Sequence, residues 1–149
     1  KRALPLGSRR LVFVQRVALD LLFGDVPFHE WPNVGGLLGA EGIGGMSSVR
    51  GVPRNRFGGN LKALSNSELR FYPLELPLCG EKMKVGGIAF LDLGRVWHPG
   101  VEDGSFWSWH PGVGGGLRVA RRAAVVRVDY GLSTETLRQG LYVTFGHMF

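Results

Sequence analysis

The chain has 149 residues, which is enough for one domain, and it carries a formal net charge of +6. Its basic residues are spread along the chain, and several arginines interrupt apolar segments (Arg16, Arg70, Arg118 and Arg127). Because nucleic-acid-binding surfaces gather basic residues on one face, this distribution argues against a nucleic-acid partner. The single cysteine, Cys79, excludes an internal disulfide, and no stretch is apolar for long enough to predict a membrane-spanning helix.

Apolar residues alternate with polar residues or glycine in six segments, and this period of two predicts β-strands. In the first segment, residues 11–24, Val17 and Leu19 fall on one face while Arg16 and Asp20 fall on the other. No helical period competes with the alternation, so the sequence predicts an all-β fold. The remaining strands are predicted over 60–71, 85–97, 112–120, 123–132 and 140–149.

The length and the two-faced composition of these segments favour an antiparallel membrane β-barrel. Strands of about ten residues, with one apolar face and one face of polar residues and glycine, are typical of barrels whose outer side meets lipid. Strands of a soluble β-sandwich, the alternative that the pattern leaves open, are usually about five or six residues long. The smallest membrane barrels have about eight strands, so six cannot close. We therefore expect a barrel fragment that forms an open curved sheet when alone and pairs with the remaining strands of the same barrel.

The connections alternate between long and short, as expected for a barrel with one elaborate end. Long loops are predicted over 25–59 and 98–111, and shorter connections over 73–82 and at 121–122. The first long loop contains the segment SSVRGVPRNRFGGN (47–60), which has three arginines and no carboxylate. It lacks the Lys-Ser/Thr pair and the following helix of a phosphate-binding P-loop, so that function is not favoured.

Four motifs follow one another in the order and spacing of a known family. They are VRG at 49–51 in the long loop, ALSNSELRFYPL at 63–74, GGIAFLDLGRVW at 86–97 and a final strand that ends on Phe149. Together they resemble the BamA/TamA superfamily of outer-membrane barrels, also called bacterial surface antigens. The resemblance covers residues 10–149 and implies that the chain, 1–149, is the C-terminal part of a sixteen-stranded barrel. It also implies location in a cell outer membrane of the Gram-negative type.

The resemblance implies a loop-lock motif, Val49, Arg50 and Gly51, on a long extracellular loop (25–59) that folds back into the barrel lumen. Arg50 is then expected to meet Asp92, which lies in the partner motif formed by Phe90, Asp92 and Gly94. Glu68 is expected as a second acceptor. The alternation supports both acceptors independently, since it places Glu68 and Asp92 on the polar faces of their strands.

The resemblance also implies a C-terminal assembly signal on the apolar face of the last strand. The residues expected to form this signal are Leu141, Val143, Phe145 and Phe149.

Proteins of the resembled family insert or translocate other proteins, so the resemblance implies client outer-membrane or secreted proteins as partners. Outer-membrane lipid and lipopolysaccharide are the other expected partners. Two alternatives are a passive barrel that anchors an upstream patatin-like lipase domain and the pore of a two-partner secretion system. No Ser-His-Asp arrangement, paired carboxylates or metal-ligand spacing stands out, so the sequence predicts no catalysis, no metal and no cofactor in this segment.

Overall fold

The computed structural model describes residues 2–5, 11–27, 29, 31, 42–78, 81–98, 107–121 and 124–146. These residues form one antiparallel sheet of seven strands, arranged in the order in which they follow one another in the chain. The first and last strands lie at opposite edges, so the sheet is open. The strands are β1 (Arg2–Pro5), β2 (Leu11–Leu21), β3 (Leu61–Leu78), β4 (Glu81–Trp97), β5 (His110–Arg121), β6 (Ala124–Ser133) and β7 (Gln139–Phe145).

The predicted all-β fold and open antiparallel sheet are confirmed, because the six predicted strands correspond to β2–β7. The structure adds β1, which has four residues and pairs with β2 from Arg2↔Gln15 to Pro5↔Val12. Four residues are too few for a period of two to stand out in the sequence. Within the described ranges, no helix is long and apolar enough to cross a membrane.

The shorter connection predicted over 73–82 is wrong, because β3 runs to Leu78 and β4 begins at Glu81. Pro73 cannot donate a ladder hydrogen bond, and proline within a sheet is confined to edges, strand starts and bulges. The register between β3 and β4 shifts at this point, between Phe71 and Leu74, and pairing then continues. A bulge therefore accommodates the proline, and both strands extend beyond it.

The alternation gives the sheet two faces of opposite character. The outer face exposes large apolar side chains, with Val17 at 70% and Phe145 at 85% of their full accessibility. The inner face buries charged side chains, among them Glu68, Asp92 and Asp129 at 0%. This is the reverse of a soluble β-sandwich, and it fits a sheet whose outer face meets lipid.

Residues 42–59, in the second half of the first long loop, pack against the inner face. Its apolar side chains form a small core with two side chains of the sheet and are supported by Ala18 and Phe57; the core residues are Ile43, Val49, Val52, Leu64 and Val96. Ile43 and Phe57 also form an isolated antiparallel bridge within the loop. The loop is thus a packed element on the polar face of the sheet. That this face lines a barrel lumen and that the loop is extracellular stay predictions.

Candidate functional site

The loop reaches the sheet through a tight turn at Val49–Val52. The amide N–H of Val52 donates to the carbonyl oxygen of Val49 at 3.3 Å, which closes the turn, and the Gly45 N–H donates to the carbonyl oxygens of Val49 at 3.2 Å and Val52 at 3.0 Å. Gly51 has a φ of +92°, in the left-handed region that favours glycine. A Cβ atom at Gly51 would lie 2.5 Å from the backbone of Leu132 and Ser133 in β6. The turn therefore places the loop backbone directly against the sheet.

Arg50, at the tip of this turn, is fully buried and forms a bidentate interaction with Asp92. Its Nε donates to Asp92 Oδ2 at 2.7 Å, and its Nη2 donates to Asp92 Oδ1 at 3.0 Å. The Arg50 backbone N–H also donates to Asp92 Oδ2, at 3.2 Å. Such paired hydrogen bonds match the planar guanidinium and are unavailable to lysine.

The remaining guanidinium nitrogen of Arg50, Nη1, bridges two further carboxylates. It donates to Glu68 Oε1 at 2.8 Å and to Asp129 Oδ2 at 3.2 Å. The three acceptors come from β3, β4 and β6. Strand β5 lies between β4 and β6, and its three inner positions from the partner of Asp92 to the partner of Asp129 are glycines (Gly112, Gly114 and Gly116), so no side chain at these positions separates the two carboxylates.

Phe90 lies two positions before Asp92 and Gly94 two positions after it, and both contribute to the surface on which the loop packs. The Arg50 guanidinium carbon lies 3.4 Å above the centroid of the Phe90 ring, a cation–π contact. A Cβ atom at Gly94 would lie 2.6 Å from Ile43 and 2.7 Å from Val49, so the missing side chain leaves room for the loop core. In the F-x-D-x-G pattern, Phe90 therefore supplies an aromatic face, Asp92 a carboxylate charge and Gly94 the space for the loop core.

Additional arginines of the sheet surround the carboxylates. Arg70 Nε donates to Glu68 Oε2 at 2.8 Å. Both Nη atoms of Arg118 donate to Asp129, and Arg127 Nε lies 3.8 Å from Asp129 Oδ2. In the described residues the cluster thus joins four guanidinium groups, those of Arg50, Arg70, Arg118 and Arg127, to three carboxylates. We call these seven residues the inner-face cluster.

The charge of Arg50 is stable despite its burial. Burial alone lowers the pKa of Arg50. The hydrogen bond to Asp92 and the negative charges of Asp92, Glu68 and Asp129 together raise the pKa by more than burial lowers it, so the net shift is upward. Asn66 adds a neutral contact, since its Nδ2 donates to Asp92 Oδ1 at 2.8 Å and to the Ser48 carbonyl oxygen at 2.6 Å. The arrangement holds a loop by paired charges and hydrogen bonds.

The structure brings together most of the residues that the sequence singled out. Arg50 contacts Asp92, Glu68 and Phe90, while Val49, Gly51 and Gly94 pack around that contact. The assembly-signal residues Leu141, Val143 and Phe145 lie apart from it, exposed on the outer face of β7. Phe149 lies outside the described residues.

Sequence reasoning missed Asp129 as a third acceptor of Arg50, and it missed the roles of Arg118 and Asn66. Asp129 alternates with Val128 and Tyr130, so its position on the polar face of its strand was the available signal. It could not show that Asp129 faces the same point as Asp92, because that depends on the register of β4, β5 and β6. Arg56, six residues after Arg50, is instead exposed, with its guanidinium carbon 5.9 Å from the Phe57 ring centroid.

A protein-family model matches the chain along its length. The family model for the Omp85 superfamily domain matches residues 1–149, which include all seven strands and the inner-face cluster. Searches of curated proteins and of solved structures return no match.

Proposed function

Because the chain belongs to the Omp85 superfamily of outer-membrane barrels, we propose that it forms the last strands of a BamA/TamA-type barrel that inserts or translocates other proteins. Members of this superfamily in general insert proteins into the outer membrane or translocate proteins across it. In the proposal, the loop at 42–59 enters the lumen from the cell exterior and is held on the wall by the inner-face cluster. The last strand, β7, supplies one side of a seam at which client strands pair.

The observation that carries the proposal is the attachment of Arg50 to carboxylates from three strands. Each carboxylate is fully buried, and the loop around Arg50 covers the polar face with a small apolar core. The wall of an open water-filled pore would leave such charged groups in contact with water. The packed loop instead supports a lumen that is occupied by part of the chain itself.

The edge strand supports the same proposal. Strand β7 pairs with β6 along Gln139–Phe145, and it is the last strand in the order of the described sheet. In lipid, the backbone N–H and C=O groups of a strand edge each need a partner, because an unsatisfied group costs several kcal/mol. The first strand of the complete barrel or a strand of a client protein would provide those partners.

The proposal can be tested by client insertion with the full-length protein reconstituted in vesicles of outer-membrane lipid. We expect Arg50→Ala to reduce the yield of folded, protease-resistant client barrels, because the loop loses its attachment to the wall. Arg56→Ala is the matched control, since it removes an exposed arginine from the same loop. The expected result for the control is client insertion at the wild-type level.

The two alternatives give different outcomes in parallel assays. A passive anchor would retain an upstream enzymatic domain at the membrane and insert no client, with or without Arg50. A two-partner secretion pore would export one soluble exoprotein and leave client-barrel insertion at the background level. Either result would contradict the proposed insertion of client barrels.

A further inference from the structure

The tip of the loop contacts the last strand as well as the inner-face cluster. The backbone N–H of Gly51 donates to the hydroxyl oxygen of Tyr142 in β7 at 3.0 Å. Gly51 follows Arg50 directly, and its close approach to the backbone of Leu132 and Ser133 fixes its position above β6. A shift of the loop tip would therefore break this hydrogen bond.

Tyr142 is placed for this contact by its own strand. A Cβ atom at Gly140 would lie 2.6 Å from Tyr142 Cζ, so the ring leans along β7 over a position that has no side chain. Gly140, Tyr142 and Thr144 occupy the inner face of β7, while the residues between them face outward. The tyrosine hydroxyl thus reaches from the edge strand, across β6, to the loop.

A second, indirect connection runs through the inner-face cluster. Thr144 Oγ1 accepts a hydrogen bond from Arg127 Nε. Arg127 lies 3.8 Å from Asp129, and Asp129 accepts a hydrogen bond from Arg50. The inner face of β7 is therefore linked to the loop tip by one direct contact and by one chain of charged groups.

We propose that Tyr142 is a positioning residue that couples the seating of the loop to the attachment of the edge strand β7. When the loop is seated, Gly51 holds Tyr142, and β7 gains a contact in addition to its ladder with β6. When β7 moves away from β6, the loop tip loses a hydrogen-bond acceptor. Because coupling between two equilibria is reciprocal, release of the loop weakens the attachment of β7 by the same factor by which detachment of β7 weakens the seating of the loop. The use of this coupling to control a client seam rests on the proposed function, whereas the coupling itself does not.

Hydrogen–deuterium exchange of the full-length protein in lipid tests the coupling. We expect Tyr142→Phe to increase exchange about threefold to tenfold in both residues 42–59 and residues 139–145, the range for loss of one neutral hydrogen bond. The phenylalanine ring retains the packing over Gly140, so the variant removes only the hydroxyl. An increase confined to residues 139–145, or no change in either segment, would overturn the proposal.

Tyr130→Phe is the matched control for loss of a tyrosine hydroxyl. Tyr130 lies on the outer face of β6, and its hydroxyl donates to Gln139 at the start of β7. This variant therefore weakens β7 without touching the loop, and we expect it to raise exchange in residues 42–59 when Tyr142 is present and to raise it no further when it is added to Tyr142→Phe. An equal rise in loop exchange on the Tyr142→Phe background would overturn the assignment to Tyr142, because β7 would then release the loop by another route. Faster exchange in β7 with an unchanged loop in the single variant would overturn the coupling itself.

A double variant measures the coupling directly. In Arg50→Ala the loop has already lost its main attachment, so adding Tyr142→Phe should produce little further exchange in β7. Full additivity of the two variants would overturn the proposal. Because the readout is exchange and not client insertion, failure here would leave the proposed function to its own assay.

Discussion

The inner and outer faces of the sheet are formed by alternate residues of the same strands, yet they present opposite chemistry. In β3, Arg70 is buried on the inner face while its neighbours Leu69 and Phe71 are exposed on the outer one. In β6, Asp129 is buried and Tyr130 is exposed. Charges on the inner face are stabilised by partners from within the chain. Apolar groups on the outer face have no such partners within the described sheet, as expected for a face that meets lipid.

The difference between the faces determines what each can tolerate. On the inner face, removal of one charge leaves another buried without compensation, so losses there should be large and strongly coupled. On the outer face, a substitution should matter through its compatibility with hydrocarbon. Within the loop the same contrast separates Arg50, at 0% exposure, from the exposed Arg56.

The largest effect is expected from separating Arg50 and Asp92 in the full-length protein. Either Arg50→Ala or Asp92→Ala should cost about 3–5 kcal/mol in the free energy of unfolding, because the remaining charge stays buried. The double variant should cost less than the sum of the two. Thermal unfolding of the folded barrel and protease cleavage within residues 47–60 provide the measurements.

Glu68→Gln is needed in the same series, since Glu68 also accepts a hydrogen bond from Arg50 and can compensate when Asp92 is removed. Additive losses together with a protected loop would rule out the Arg50–Asp92 pair as the attachment. Coupling of Arg50 to Glu68 but not to Asp92 would keep the attachment and change its main partner.

A smaller but still substantial loss is expected when a charge is placed on the outer face. Val17 lies in the middle of β2 and is 70% exposed. Val17→Arg should destabilise the barrel by about 2–4 kcal/mol if lipid covers this face, as for other charges near the bilayer middle. Denaturant unfolding in lipid vesicles is the measurement, with Val17→Leu as an apolar control. A fully tolerated arginine would show that this face meets water.

Adding a single methyl group to each face sharpens the comparison further. A Cβ atom at Gly131, on the inner face, would lie 2.8 Å from the backbone of Arg50 and Gly51. At Gly87, on the outer face, the added Cβ atom would lie 3.5 Å from the Gly116 oxygen, an ordinary van der Waals distance. Gly131→Ala should therefore cost about 1–3 kcal/mol and expose the loop to protease, as overpacking does elsewhere. Equal effects of Gly131→Ala and Gly87→Ala would contradict close seating of the loop.

The smallest effect is expected for the exposed loop arginine. Arg56→Ala should change the free energy of unfolding by no more than about 0.5 kcal/mol, the usual range for surface substitutions. The same thermal-unfolding and protease assays as for Arg50 apply. A loss comparable to that of Arg50→Ala would reveal a second anchor in the loop.

Alternation was sufficient to predict most of the sheet, because one residue step changes the face and each face has its own composition. It places Glu68 and Asp92 on the polar faces of their strands, where the structure has them. It failed where composition is mixed, as in 73–82, where Pro73 lies at a bulge and both strands continue. The four residues of β1 gave too short a signal to be recognised.

Only those parts of the candidate site that depend on sequence motifs or on the face of a strand could be predicted from the sequence. The resemblance named Arg50, Asp92 and Glu68, and the structure places them within hydrogen-bond distance. The contact with Asp129 depends on the register of three strands, which no local pattern encodes. The Gly51–Tyr142 contact also depends on the path of the loop backbone, so sequence alone could not indicate it.

The position of Arg50 among three strands has a consequence for the order of folding. Its acceptors lie 18, 42 and 79 residues away in the sequence, on Glu68, Asp92 and Asp129. Their oxygens converge only after β3–β6 have paired in the correct register, because a slip of one residue turns a side chain to the opposite face. The loop therefore docks late, and a misregistered sheet cannot complete the step. We therefore expect a barrel with such an error to leave its loop undocked and accessible to proteases, so that docking of Arg50 would report correct strand pairing.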